Sequence, residues 1–487
     1  MLKIPIKVAH PQKTQQTTIT IICMLSYMRS HNRCRLQKLL SLYFQFKGVS
    51  AKGFDTLHCA MGLTMSHKWT SNSVARISAN CMAEVKEQMA LCPWLMSHDN
   101  MQMPFRVFST RLDNQGEFGN GTAATIYVKP NTKLLPESAN ERLKQKRAEG
   151  LRAPITELEI FDLADASYPK IQEHSVYQVL RLLLESDEFG FASYSGNKSE
   201  RLKPPLSVDQ LPAGPENLTL QYLLGSVDIP EASYEDNSRL VEEWFRQLGL
   251  DSEEDQRRLA TKKIVSWVGD QLTVDHLRGL FKFRAEDENS YIRLDFVVLI
   301  FGWFHLKMAF ANSLHKQYLG TSRSLGLMQA FHILSKKGLS KPQVKGPFHH
   351  DLEETLYTVA EAHLRVDWMH IGHVEKLSDL RTRSPEELYN LAKNIVRERA
   401  SSEAMDALDR KPKNQQDGEL RQIIMWNRDM LQYIVLDQAI RNGNVGLMEG
   451  MLPHLLFRFL GGGNGKYAGE VLELLQGLHR EWPADVA

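Results

Sequence analysis

Two spacings of apolar residues divide the chain. In KKIVSWVGDQLT, residues 262–273, the near-continuous run Ile264, Val265, Trp267 and Val268 predicts a buried strand. Gly269 there permits a tight turn or a close backbone approach. Asp270 falls at the strand's carboxyl end, and Thr273 reads as the N-cap of a helix over VDHLRGLFKFR. A second buried strand is expected at 296–301, with a helix over 303–318. Earlier, residues 94–96 predict a short strand ending on His98, Asp99 and Asn100. Two more strands are expected at 105–108 and 123–128, separated by a Gly/Asn-rich turn at 116–121.

Helical spacing governs most of the rest. The segments 237–248, DLEETLYTVAEAHLRVDWMHI, SPEELYNLAKNIVRERA and LRQIIMWNRDMLQYIVLDQAI carry apolar residues at intervals of three and four. The tail adds a glycine loop and a last amphipathic helix, GGGNGKYAGEVLELLQGLHREW. The fold class expected is therefore α/β followed by all-α. Residues 1–50 read as an atypical leader and 51–305 as an α/β core with N-terminal helices and a loop-rich insert. Residues 306–455 form a helical block, and 456–487 a loop and helix returning to the core.

Composition narrows this little. With 59 Lys and Arg against 58 Asp and Glu, the net charge of +1 gives no global field to select a polyanion, so any basic surface must be local. Segment 141–152, ERLKQKRAEGLR, is charged all round and reads as a solvated helix. All five cysteines fall in the first fifth of the chain without CxxC spacing, which supports neither a zinc knuckle nor a disulfide framework and fits an intracellular protein. The apolar patch TITIICMLSYM is too short to span a bilayer, so no membrane partner is expected. The basic cluster MRSHNRCRLQK is too diffuse to define a nuclear signal.

GGGNGKY is not a phosphate loop: the first glycine position holds Leu460, and Tyr467 stands where Ser or Thr is required. His349, His350, His363, His370 and His373 crowd the helical block without a metal-ligand pattern, and read as core or surface histidines. Asp99, Asp270 and Glu470 are more suggestive. Three carboxylates meeting at one sheet edge could hold two divalent ions, one activating water or a hydroxyl and one stabilising the leaving oxygen. Each also has an ordinary role, since Gly-Asp is turn chemistry and Glu470 opens a helix whose dipole favours an acid.

HDNMQMPFRVFSTRLDNQGEFGNGTAATIYV, WVGDQLTVDHLRGLF, FGWFHLKMAFANSLHKQYLGT and KGPFHHDLEETLYTVAEAHLRVDWMHI resemble an uncharacterised domain family expanded in mushroom-forming fungi. The resemblance runs from about Lys52 to the C-terminus and implies fungal origin, with similar proteins continuing beyond this chain. A looser resemblance is to transposases of ribonuclease H-like fold, especially the hAT group. These place one Asp on the first strand, another after the fourth, and a Glu on a late helix beyond a large helical insertion. That resemblance implies a ribonuclease H-like mixed sheet with 306–455 as the insertion. Asp99, Asp270 and Glu470 would then be catalytic and metal-binding residues holding two Mg²⁺ (or Mn²⁺) ions. His305, Gly269 and Gln271 would support the site. In the x-x-His motif after the second Asp, Gly302 departs from the family's Cys or Asp. The implied partner is DNA, touched by basic segments such as 141–152, in an intracellular protein, nuclear or otherwise, that could self-associate. The alternative is a non-catalytic helical scaffold.

Overall fold

The computed structural model describes residues 11–31, 34–105, 117–321, 326–335 and 350–486. The chain divides into two compact units, Met1–Leu91 and Cys92–Ala487. The first unit is helical: α1 (Pro11–Arg29), α2 (Arg35–Phe46), α3 (Ala51–Asp55) and α4 (His67–Leu91). Its interior holds Tyr27, Phe54, Val85 and Met89. The buried amide of Gln37 donates to the Gly62 carbonyl at 3.0 Å, fixing α2 to the turn before α4. The stretch expected as a leader therefore contains two helices, and the unit boundary falls at Leu91, where Pro93 forbids continuation of α4.

The second unit is mostly helical around one small mixed sheet. Its elements are β1 (Trp94–Phe105), β2 (Glu117–Val128), α5 (Ser138–Arg152), α6 (Glu157–Leu184), β3 (Leu220–Leu223), α7 (Tyr234–Leu248), α8 (Glu253–Lys262), β4 (Val265–Gly269), α9 (Gln271–Phe283), β5 (Val297–Phe301) and α10 (Trp303–Tyr318). Then come α11 (Leu327–Ser335), α12 (His350–Gly372), α13 (Pro385–Arg399), α14 (Ser402–Asp409), α15 (Gly418–Asn442), α16 (Val445–Gly461) and α17 (Gly465–Gln476). Sheet order is β3-β2-β1-β4-β5. The first three strands pair antiparallel, whereas β4 runs parallel to β1 and β5 parallel to β4. No helix among the described residues is long and apolar enough to cross a membrane.

The buried runs at 265–269 and 297–301 form strands as their apolar density predicts, with Val265, Trp267, Val297 and Val298 inaccessible. The first two strands differ from expectation. β1 is one continuous strand through Phe105, so His98, Asp99 and Asn100 lie inside it rather than at its end. Residues 117–121, expected as a turn, belong to β2, and residues 106–116 lie outside the described chain. Gly121 serves close approach here: a Cβ would sit 2.5 Å from the Val227 carbonyl oxygen, which accepts from the Thr122 N–H beside it.

Helix α5 also departs from the solvated helix expected. Ala139, Leu143 and Gly150 are buried, and the guanidinium of Arg147 donates to the carbonyls of Asp295 and Val297, each at 2.7 Å. That fork occupies backbone acceptors at the edge strand β5, which would otherwise be open to another strand. Lys144 donates to the Ala260 carbonyl and Arg142 pairs with Asp485. Three of the cations expected to meet phosphate are thus engaged within the fold.

Buried apolar residues of α6, α10, α12, α13, α15, α16 and α17 merge into one core that includes Phe301 of β5. Inside it, the Lys307 ammonium lies 2.9 Å from Glu353 and 2.8 Å from Asp437. Such a buried cation requires paired anions, because desolvation alone would be prohibitive.

Candidate functional site

Parallel pairing of β1 with β4 ends at Ser97 opposite Val268. Two residues further along each chain stand Asp99, midway along β1, and Asp270, just past the end of β4, so the register brings the two aspartates level with each other. Asp99 continues in β1, while Asp270 leaves the sheet. Partial burial and then repulsion from Asp270 raise the Asp99 carboxyl above its ordinary range. Glu231 adds to the rise, and the Asn100 backbone N–H and His305 oppose it.

Asp270, rather than Thr273, caps α9: its Oδ1 accepts from the Thr273 N–H at 2.8 Å. Asp270 thus both follows the end of β4 and caps the helix after it. Gly269 allows the abrupt passage from strand to helix, since a Cβ would meet Thr273 Cγ2 at 2.6 Å. Its carbonyl accepts from the Gly302 N–H at 2.9 Å, which starts α10 beside α9. Half-buried His305, on the first turn of α10, thereby comes within electrostatic reach of Asp99.

Behind Asp99 lies a buried polar chain not anticipated from the sequence. Strand alternation turns His98 to the opposite face from Asp99. The Trp267 indole N–H donates to His98 Nδ1 at 3.0 Å, so Nδ1 carries no proton and Nε2 does. Nε2 faces Glu231 Oε1 at 3.4 Å, and both side chains are almost wholly enclosed. Neither of those two atoms makes a hydrogen bond. Glu231 is tied to the aspartate strand through its backbone N–H, which donates to Asn100 Oδ1 at 3.1 Å. His98 is visible beside Asp99 in the sequence. Glu231 sits in a loop 133 residues beyond His98 (231 − 98), where no local pattern marks it.

Glu470 does not join the pair. Its Oε1 and Oε2 accept from Arg278 Nη1 and Nη2 at 2.9 and 2.8 Å, and Glu473 stands 3.7 Å from the same guanidinium. This fork lines a cavity of about 300 Å³ with Gln271, Lys282, Lys466 and Gly469. Gln271 thus opens towards α17. Tyr467, one turn before Glu470, is the α17 residue that senses Asp270: burial first, then that carboxylate, pushes its hydroxyl up. Among the described residues, no three His, Cys, Asp or Glu side chains are grouped to hold a metal ion. Glu470 is thus held by Arg278 instead of standing with the two aspartates.

A family model described as a family of unknown function (DUF6589) matches residues 150–487. The match includes Asp270, His305 and Glu470 but begins after Asp99, later than the Lys52 expected from the sequence. No curated protein and no solved structure matches the chain.

Proposed function

Because the chain belongs to this family of unknown function, its role has to be argued from its own residues, and we propose a transposase-derived DNA-processing protein of ribonuclease H-like type. The observation that carries the reading is the β1–β4 register, which sets Asp99, midway along β1, level with Asp270 just past the end of β4. The acids fall on the first strand and directly after the fourth, as the resemblance to transposases implies. The helices from α11 to α16 lie between the second acid and Glu470, in the position of an insertion.

In this reading Asp99 and Asp270 hold a divalent cation, Mg²⁺ or Mn²⁺, which would supply Lewis acidity at a phosphodiester. The Thr273 N–H fixes one oxygen of Asp270 and orients the other. His305, within electrostatic reach of Asp99, would support the site or a phosphate. The test is Mg²⁺- or Mn²⁺-dependent nicking of duplex DNA by the wild type, Asp99→Asn and Asp270→Asn. Equal nicking by all three proteins would remove the assignment.

The Arg278–Glu470 fork favours a second reading, a folded but non-catalytic binding scaffold that has kept the sheet and lost the third acid as a ligand. Absence of nicking, together with an unchanged melting temperature on adding divalent cation, would select it.

A further inference from the structure

The unit Met1–Leu91 contains 12 of the chain's 59 Lys and Arg but only 3 of its 58 Asp and Glu, a formal charge of +9. The remainder, Cys92–Ala487, is consequently −8. No acid occurs before Asp55. The near-neutral total hides a strongly divided chain, and the unit carrying the two aspartates would by itself repel a polyanion.

Within the basic unit, α2 concentrates these charges on one face. Arg35, Lys38, Leu39, Tyr43, Phe46 and Lys47 are all exposed, and their spacings of three, four and one wrap a single side of the helix. Gln37 and Ser41 are buried on the other side. Tyr43 and Phe46 expose 54% and 78% of their surface, far more than rings placed only for packing. Lys47 lies 5.7 Å from the Tyr43 ring centre, so cation and ring present together. Cations follow a phosphate backbone, whereas exposed rings need a flat partner, which unpaired bases provide and a stacked duplex withholds.

We propose that the exposed face of α2 is a binding surface for single-stranded nucleic acid, with Arg35, Lys38 and Lys47 on phosphates and Tyr43 and Phe46 stacking on bases. The proposal rests on the DNA-processing reading for the nature of the partner, but not on the aspartate site. The same ingredients would suit an anionic bilayer, so the test includes one.

The experiment uses the full-length chain and fluorescence anisotropy with a labelled single-stranded oligonucleotide, the matching duplex, and vesicles with and without phosphatidylserine. Tighter binding to the single strand is expected, weakening steeply with salt. The triple variant Arg35→Gln, Lys38→Gln, Lys47→Gln should lower the salt slope by about 2, at roughly 0.7 per phosphate contact. The double variant Tyr43→Ser, Phe46→Ser should lose roughly tenfold in affinity at an unchanged slope. Unchanged melting temperatures in both variants would show that the fold is kept. Preference for duplex, capture by phosphatidylserine vesicles alone, or wild-type affinity in the aromatic variant would each overturn the proposal. Binding without nicking would reject the aspartate assignment alone, and nicking without single-strand binding would reject the α2 surface alone.

Discussion

Arg278 grips both carboxylate oxygens of Glu470, joining the helix that Asp270 caps to the last long helix of the chain. The two residues are 192 apart in sequence. The fork therefore places α17 against α9 and β5, with Tyr467 within electrostatic reach of Asp270. It also makes Glu470 a tie rather than a free ligand.

Removing one side of this tie should be costly. Glu470 is almost wholly enclosed and Arg278 largely so, so Glu470→Ala leaves the guanidinium with Glu473 at 3.7 Å and the charge of Asp275. Breaking a buried pair costs about 3–5 kcal/mol, and the lower end is expected here because Glu473 remains. Urea unfolding should show that loss, while the double variant Arg278→Met, Glu470→Leu should recover most of it. A single variant as stable as wild type would contradict the tie.

A carboxyl raised in the folded state contributes stability below its unfolded value and loses it as pH rises through its folded value. Asp99→Asn should therefore raise the melting temperature at pH 7 relative to wild type, with the gap closing towards pH 3. Asp270→Asn should lower the midpoint of Asp99, read from its side-chain carbonyl signal by NMR. An unmoved midpoint would show that the two charges do not interact.

The parts of this fold legible in the sequence are those set by local chemistry. Val265–Gly269, Val297–Phe301 and Trp303–Tyr318 follow from apolar density and spacing. Asp270 at the end of a strand was legible for the same reason. What escaped depends on distant partners. Residues 117–121 look like a turn by composition, and only the approach of Val227 explains glycine in a strand there. Arg147 looks like a solvated charge until Asp295 and Val297 present their carbonyls. Glu231 and Arg278 acquire roles through residues more than a hundred positions away.

At Gly269 the requirement is space. An alanine methyl would lie 2.6 Å from Thr273 Cγ2 and 2.7 Å from Thr273 Cβ, both in the first turn of α9. Thr273 is buried and cannot swing away, so the helix itself must shift. Overpacking of this kind costs about 1–3 kcal/mol. Gly269→Ala should show that loss in urea unfolding. Gly418→Ala, where nothing lies within 4 Å of the added methyl, should show none. Equal stability of the two variants would mean the strand-to-helix passage is looser than described.

Asp367 supplies the clearest pH dependence. It is buried on α12, accepts from Asn427 Nδ2 at 2.8 Å and lies 3.9 Å from Arg399 Nε. Burial, only partly offset by Arg399 and Asn427, pushes its carboxyl up to about 6. An unfolded aspartate titrates near ~3.9. Its stabilising contribution is thus complete below pH ~4 and lost as pH rises through about 6, a span worth about 2–3 kcal/mol. A neutral amide at this position would carry no such dependence. The stability of Asp367→Asn relative to wild type should therefore increase between pH 4 and pH 7, measured by urea unfolding at each pH. A constant difference across that range would mean that Arg399 keeps the carboxylate charged throughout.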